Sequence, residues 1–140
     1  MLVTRRYRFA ASHRLHSPRF SEKENQELYG KCNNPFGHGH DYLLSVTVAG
    51  PADPATGLVV NIPALDHLVA EQVVRDFDHK FLNADLREFD ELVPTSENIL
   101  RVIENRLKAH WSAAFPGQWP LLEKIRLRET RRNVVELRAS

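Results

Sequence analysis

Three histidines carry the first chemical signal in this chain: the pair His38-Gly39-His40 and, upstream of it, His13. Side chains separated by one residue on a strand leave the same face, so His38 and His40 present two imidazoles side by side. Each buried ring has two nitrogens that need partners, and a divalent metal is a partner that both rings can share. His13 closes the preceding strand pattern and is the natural third donor; His16, beyond that pattern, is its rival. Three imidazoles leave a fourth position open for water or substrate, as in catalytic zinc sites, whereas structural sites are closed by protein ligands. Solvated or hydrogen-bonded histidines would show the same spacing, and spacing does not choose between the two.

Cys32 stands in a polar, shaped loop, Gly30-Lys31-Cys32-Asn33-Asn34-Pro35-Phe36-Gly37. A lone cysteine is usually a small buried hydrophobe. Beside a cation it becomes a stabilised thiolate and a usable base, and as a fourth zinc ligand it would close the site. Asp78-His79 follows a helical pattern and fits either a proton relay or a solvated helix end. Glu129 shares the apolar face of its strand with Ile125 and Leu127. A carboxylate there needs a strong partner: an internal arginine, or the paired N–H donors at the edge of a guanine-like or pterin ring.

The elements that must position these residues are legible from periodicity. Val3, Tyr7, Phe9, Ala11 and His13 alternate onto one strand face, interrupted by Arg5. A polar excursion from Arg14 to Gly37 has room for one short helix near Ser21–Tyr29. A second strand spans about His38–Ala49, and a Pro/Asp/Gly cluster then turns the chain into a short strand at Leu58–Ile62. Helical spacing of Leu65, Leu68, Val69, Val73 and Phe77 follows Pro63, which suits a first helical turn. A second helix starts after Pro94 with Thr95 or Ser96 as cap, and carries Ile99, Val102, Ile103, Leu107 and Trp111. A hairpin, Leu121–Thr130 and Val134–Arg138, ends the pattern. These elements predict an α+β fold, an antiparallel sheet with both helices on one face, and edges that invite association.

The length of 140 residues suits a single domain over residues 1–140. With 19 Lys+Arg against 18 Asp+Glu, no strong electrostatic nucleic-acid partner is expected. No apolar stretch approaches the ~20 residues of a membrane span, and the N-terminus shows no hydrophobic signal region. The single cysteine forbids an intrachain disulfide and points to a cytoplasmic setting.

Taken in order, several motifs resemble the 6-pyruvoyl tetrahydropterin synthase family over nearly the whole chain. They are Phe9-Ala10-Ala11-Ser12-His13-Arg14-Leu15, the run from Gly30 through His38-Gly39-His40-Asp41-Tyr42, and Asp53-Pro54-Ala55-Thr56-Gly57. Asp78-His79-Lys80, Pro94-Thr95-Ser96-Glu97-Asn98, and Glu129-Thr130 with Asn133-Val134-Val135 complete the set. The resemblance implies the tunnelling fold, a ββααββ unit whose sheets join into a barrel, as a homo-hexamer of two stacked trimers with active sites at subunit interfaces. It implies Zn2+ held by His13, His38 and His40, and Cys32 as proton-transferring base supported by Asp78 and His79. Glu129 would anchor the pterin, with Thr95 and Ser96 near the substrate. The implied substrate is 7,8-dihydroneopterin triphosphate, which loses triphosphate while its side chain is oxidised and its ring reduced. No external hydride donor is needed, in keeping with the lack of a Gly-rich dinucleotide fingerprint.

Three other readings stay open. The related 6-carboxy-tetrahydropterin synthases of deazapurine (queuosine) biosynthesis release acetaldehyde from the same substrate. Their cysteine usually sits closer to the first histidine; here five residues intervene, Asn33 to Gly37, although Pro94-Thr95-Ser96-Glu97 is at home in those enzymes. Aldolase-like relatives usually alter the cysteine position. A non-catalytic domain with a structural Cys–His₃ zinc is the reading from another class.

Overall fold

The computed structural model describes residues 1–139. β1 (Leu2–His13) and β2 (His38–Ala49) pair antiparallel along their full length, from Leu2 opposite Ala49 to His13 opposite His38. The alternation read in the sequence is the burial pattern: Phe9, Ala11 and His13 are buried on β1, and Tyr42, Leu44, Val46 and Val48 on β2. Between these strands, α1 (Glu22–Tyr29) is started by Ser21, whose hydroxyl accepts from the Glu24 amide while the Glu24 carboxylate accepts from the Ser21 amide.

After β2, the expected strand at Leu58–Ile62 is not formed. The Asp53 amide donates to the Leu58 carbonyl and the Gly57 amide to the Asp53 carbonyl, so Leu58 closes the preceding turn, while Asn61 and Ile62 already begin the next helix. Val60 still reaches the core from irregular backbone, and a short apolar run does not reveal which structure carries it. The helix that follows is interrupted. α2 (Ile62–Val69) passes into a π-helical stretch, Ala70–Val74, and then α3 (Arg75–Phe77).

The fifth strand lies where no periodicity announced it. β3 (Lys80–Phe81) pairs parallel with Ala11 and Ser12 of β1, giving an otherwise antiparallel sheet one parallel edge. A two-residue strand is too short to show alternation. α4 (Leu82–Asp85) and a 3₁₀ turn (Arg87–Phe89) lead to α5 (Ser96–Ala114), capped by Thr95. β4 (Leu121–Arg128) then pairs with β2, and β5 (Val134–Arg138) with β4, so the sheet order is β3-β1-β2-β4-β5. Ile99, Val102, Ile103 and Leu107 of α5 and Leu65, Val69 and Val73 of the interrupted helix are buried with the sheet's inner face. Each such aliphatic side chain contributes about 1.5–3 kcal/mol on burial.

Candidate active site

The site forms at one end of the core, where β1 ends and β2 begins. Opposed residues of an antiparallel pair share a face, so the register puts His13 beside His38 and Ala11 beside His40 on the core side. One step past the last β2–β4 pair, Leu43 with Arg128, Glu129 comes level with Tyr42. Four donor atoms meet here: one each from His13, Cys32, His40 and Glu129, all within 4.8 Å of one another.

His13 is fully buried, and its Nδ1 lies 2.8 Å from the Pro94 carbonyl oxygen, just before α5. A carbonyl only accepts, so Nδ1 carries the proton and Nε2 keeps its lone pair for the cluster. The Tyr42 hydroxyl stands 3.4 Å from the same Nδ1, and its ring stacks on Phe9. His13 Nε2 is 3.2 Å from His40 Nε2, and Glu129 Oε1 is 3.3 and 3.4 Å from these two nitrogens. Burial is the leading influence on both imidazoles and holds them below the ordinary histidine range, toward the neutral form that ligates metal. The histidine ring nitrogens, thiol and carboxylate suit zinc.

His38 is close by but is not one of the four. Its ring centroid lies 4.7 Å from that of His40, and its nitrogens make no hydrogen bond among the described residues. His16, the rival donor, is turned away to Asn33 Nδ2 at 3.2 Å. Gly37 sets the entry to His38. Its φ is +83°, and a Cβ there would meet Phe81 Cε1 at 2.9 Å and the His13 carbonyl oxygen at 3.2 Å, so a side chain is excluded.

Cys32 sits on a 3₁₀ turn, Gly30–Asn33, tied to the end of β1 by the Leu15 amide donating to the Cys32 carbonyl at 2.7 Å. Its Sγ lies 3.9 Å from His40 Nε2. Burial first, then the charge of Glu129, pushes the thiol above its ordinary range. The stabilised thiolate expected from the sequence therefore needs a cation in the cluster. Glu129→Gln is expected to lower the Cys32 pKa by removing that negative charge, read as thiolate ultraviolet absorbance against pH in metal-free protein. An unchanged titration would separate the two groups.

Glu129 has found partners inside the chain. Oε1 faces the histidines and Oε2 accepts from Asn133 Nδ2 at 2.7 Å. Asn133 thereby joins the site, and its place in the turn just after Glu129 is the only sign of this in the sequence. Thr95 caps α5, its hydroxyl accepting from the Asn98 amide at 3.2 Å, while the buried Ser96 hydroxyl has no partner among the described residues. Both follow Pro94, whose carbonyl orients His13, but among the described residues no hydrogen bond ties either to the four donor residues.

Asp78 and His79 build a corner on the other side of β1. The Ala10 amide donates to Asp78 Oδ1 at 2.8 Å, and the His79 amide donates to the Ala10 carbonyl at 2.6 Å. His79 has φ +60°, uncommon for a residue with a side chain; its side chain is 84% exposed, with Nε2 3.5 Å from Asp78 Oδ2. Among the described residues, no hydrogen bond or ion pair links this pair to Cys32 or the histidines. A shallow cavity of about 640 Å³ lies between Ser12, Gly39, His40, His79 and Asp85. A larger apolar cleft, about 810 Å³ between Pro54, Phe115 and Trp119, has no cluster residue in its walls.

An α+β fold whose sheet gathers two histidines, a thiol and a carboxylate at one end has a donor set that could hold a metal ion, and its architecture is that of the pterin synthases. The chain belongs to the 6-pyruvoyl tetrahydropterin synthase family: the family model so described matches residues 2–140. A 6-pyruvoyl tetrahydrobiopterin synthase of Poecilia reticulata is 43% identical over 136 residues, 97% of this chain and 88% of that protein. The 6-pyruvoyl tetrahydropterin synthase structure of Caenorhabditis elegans matches with a TM-score of 0.89 at 35% identity, covering 100% of this chain and 96% of that one. A 6-carboxy-5,6,7,8-tetrahydropterin synthase of Rickettsia conorii is more distant, 27% identical over 149 residues, 96% of this chain and 97% of that protein.

Proposed function

We propose that this chain is a zinc-dependent carbon–oxygen lyase acting on 7,8-dihydroneopterin triphosphate, with elimination of triphosphate and internal redox tautomerisation. The observation that carries the reading is the meeting of His13 Nε2, His40 Nε2, Cys32 and Glu129, in a member of a family named for this chemistry. His13 and His40 would hold Zn2+ with His38 as third imidazole, and the ion would polarise the substrate's side-chain oxygens.

The chain's own residues supply the rest. The Pro94 carbonyl fixes His13 in its ligating tautomer. Cys32, beside His40, takes a proton from the substrate side chain and returns one as the ring is reduced. Glu129 is the pterin anchor: once the imidazole nitrogens are engaged elsewhere, its Oε1 is free for a ring N–H. Thr95 and Ser96 border the substrate. Asp78 and His79 support proton transfer, and because they do not reach Cys32 within one chain they act on the Cys32 of a neighbouring subunit.

That arrangement requires an assembly, and a homo-hexamer of two trimers, closing the sheets into a barrel, is the form we propose. Within it one domain, residues 1–140, forms each subunit. Among the described residues no helix is long and apolar enough to cross a membrane, and a cytoplasmic setting is proposed from the single free cysteine. Product analysis with purified zinc-loaded protein and 7,8-dihydroneopterin triphosphate tests the activity. The expected result is triphosphate release without acetaldehyde; stoichiometric acetaldehyde would assign the chain to the 6-carboxy enzymes instead.

A further inference from the structure

One nearly buried guanidinium grips the helix that delivers Asp78 and His79. Arg106 of α5 has a side chain only 18% exposed. Its Nη1 donates to the Gln72 carbonyl at 3.0 Å and to Asp76 Oδ2 at 2.6 Å. Nε and Nη2 donate to the two Glu88 oxygens at 2.7 and 3.1 Å, and the guanidinium carbon is 5.2 Å from the Phe77 ring centroid.

These contacts meet an irregularity. Gln72 lies in the π-helical stretch Ala70–Val74, where the regular i→i+4 bonding of a helix is disrupted and carbonyls become available to other donors. Such a stretch also rotates everything after it relative to the helix before. Asp76 and Phe77, both touched by Arg106, immediately precede the Asp78–His79 corner, and Glu88 lies on the far side of that corner in the chain. A planar fork with five donors satisfies these partners together; a lysine ammonium does not.

We infer that Arg106 is a positioning residue for the reaction: by locking the π-helical stretch and Asp76 to α5 it sets the direction in which His79 leaves the sheet. The inference rests on the role proposed above for Asp78 and His79.

A double-mutant cycle tests it on zinc-loaded protein, well below each variant's melting temperature. Arg106→Gln is expected to lower kcat about 10-fold, less than the ~10²-fold that a misplacement of a full ångström can cost, with KM and zinc content unchanged. Because it acts through His79, the pair Arg106→Gln/His79→Ala should be no slower than His79→Ala alone. Multiplicative losses, or a lowered melting temperature with kcat intact, would overturn the inference. If Arg106→Gln does not fold, Asp76→Asn takes its place in the same cycle with the same two readings. A His79→Ala variant with wild-type turnover would instead defeat the role of His79 itself.

Discussion

Replacing His13 by alanine is expected to remove bound zinc and turnover together. Of the four residues whose donor atoms meet, His13 alone is buried: its Nδ1 is held by the Pro94 carbonyl, and its Nε2 faces His40 and Glu129. Disturbing only the groups around a metal ligand costs ~10–100-fold in affinity, and deleting the ligand should exceed that. Stability should also fall by about 1–3 kcal/mol, because the Pro94 carbonyl loses its buried donor. Metal analysis, thermal melting and turnover on the same preparation check this. Chelating the wild-type protein should abolish turnover in the same way, and added zinc should restore it there but not in the variant. A His13→Ala protein with stoichiometric zinc would remove His13 from the ligand set.

Cys32→Ala should behave in the opposite sense: zinc and fold are kept while turnover falls by ~10²–10⁴-fold, the range of a lost acid–base group. His79→Ala should show a similar selective loss. The two defects lie on groups that do not meet within one chain, so subunits bearing one defect each can repair one another. Random mixing across a heterologous interface would restore about a quarter of the sites. Turnover of co-assembled Cys32→Ala and His79→Ala chains measures it directly. No recovery in a mixed oligomer would place Asp78 and His79 outside the proton path.

Much of this site could be read from residue order because strand geometry converts spacing into direction. His38 and His40 had to share a face, and the β1–β2 register brings His13 opposite His38. Glu129 was visible as a carboxylate on an apolar face, and its neighbours proved to be imidazoles and Asn133 rather than an arginine. What stayed hidden depends on tertiary contact. β3 is a two-residue pairing with β1, the π-helical stretch keeps the same apolar residues as an unbroken helix, and the left-handed turn at His79 leaves no compositional mark. The segment Leu58–Ile62 has strand composition, but Leu58 closes the turn before it and Asn61 caps the helix that takes up Ile62.

Catalysis of the kind proposed requires a metal held by imidazoles with one position left for substrate, and X-ray absorption at the zinc edge of the resting protein addresses that arrangement directly. The predicted spectrum has nitrogen and oxygen neighbours at about 2.0–2.1 Å and no sulfur, with Cys32 near but unbound. A sulfur neighbour at about 2.3 Å would mean that Cys32 closes the coordination sphere. The cluster would then be a structural centre, and the catalytic role given to the thiol would be wrong.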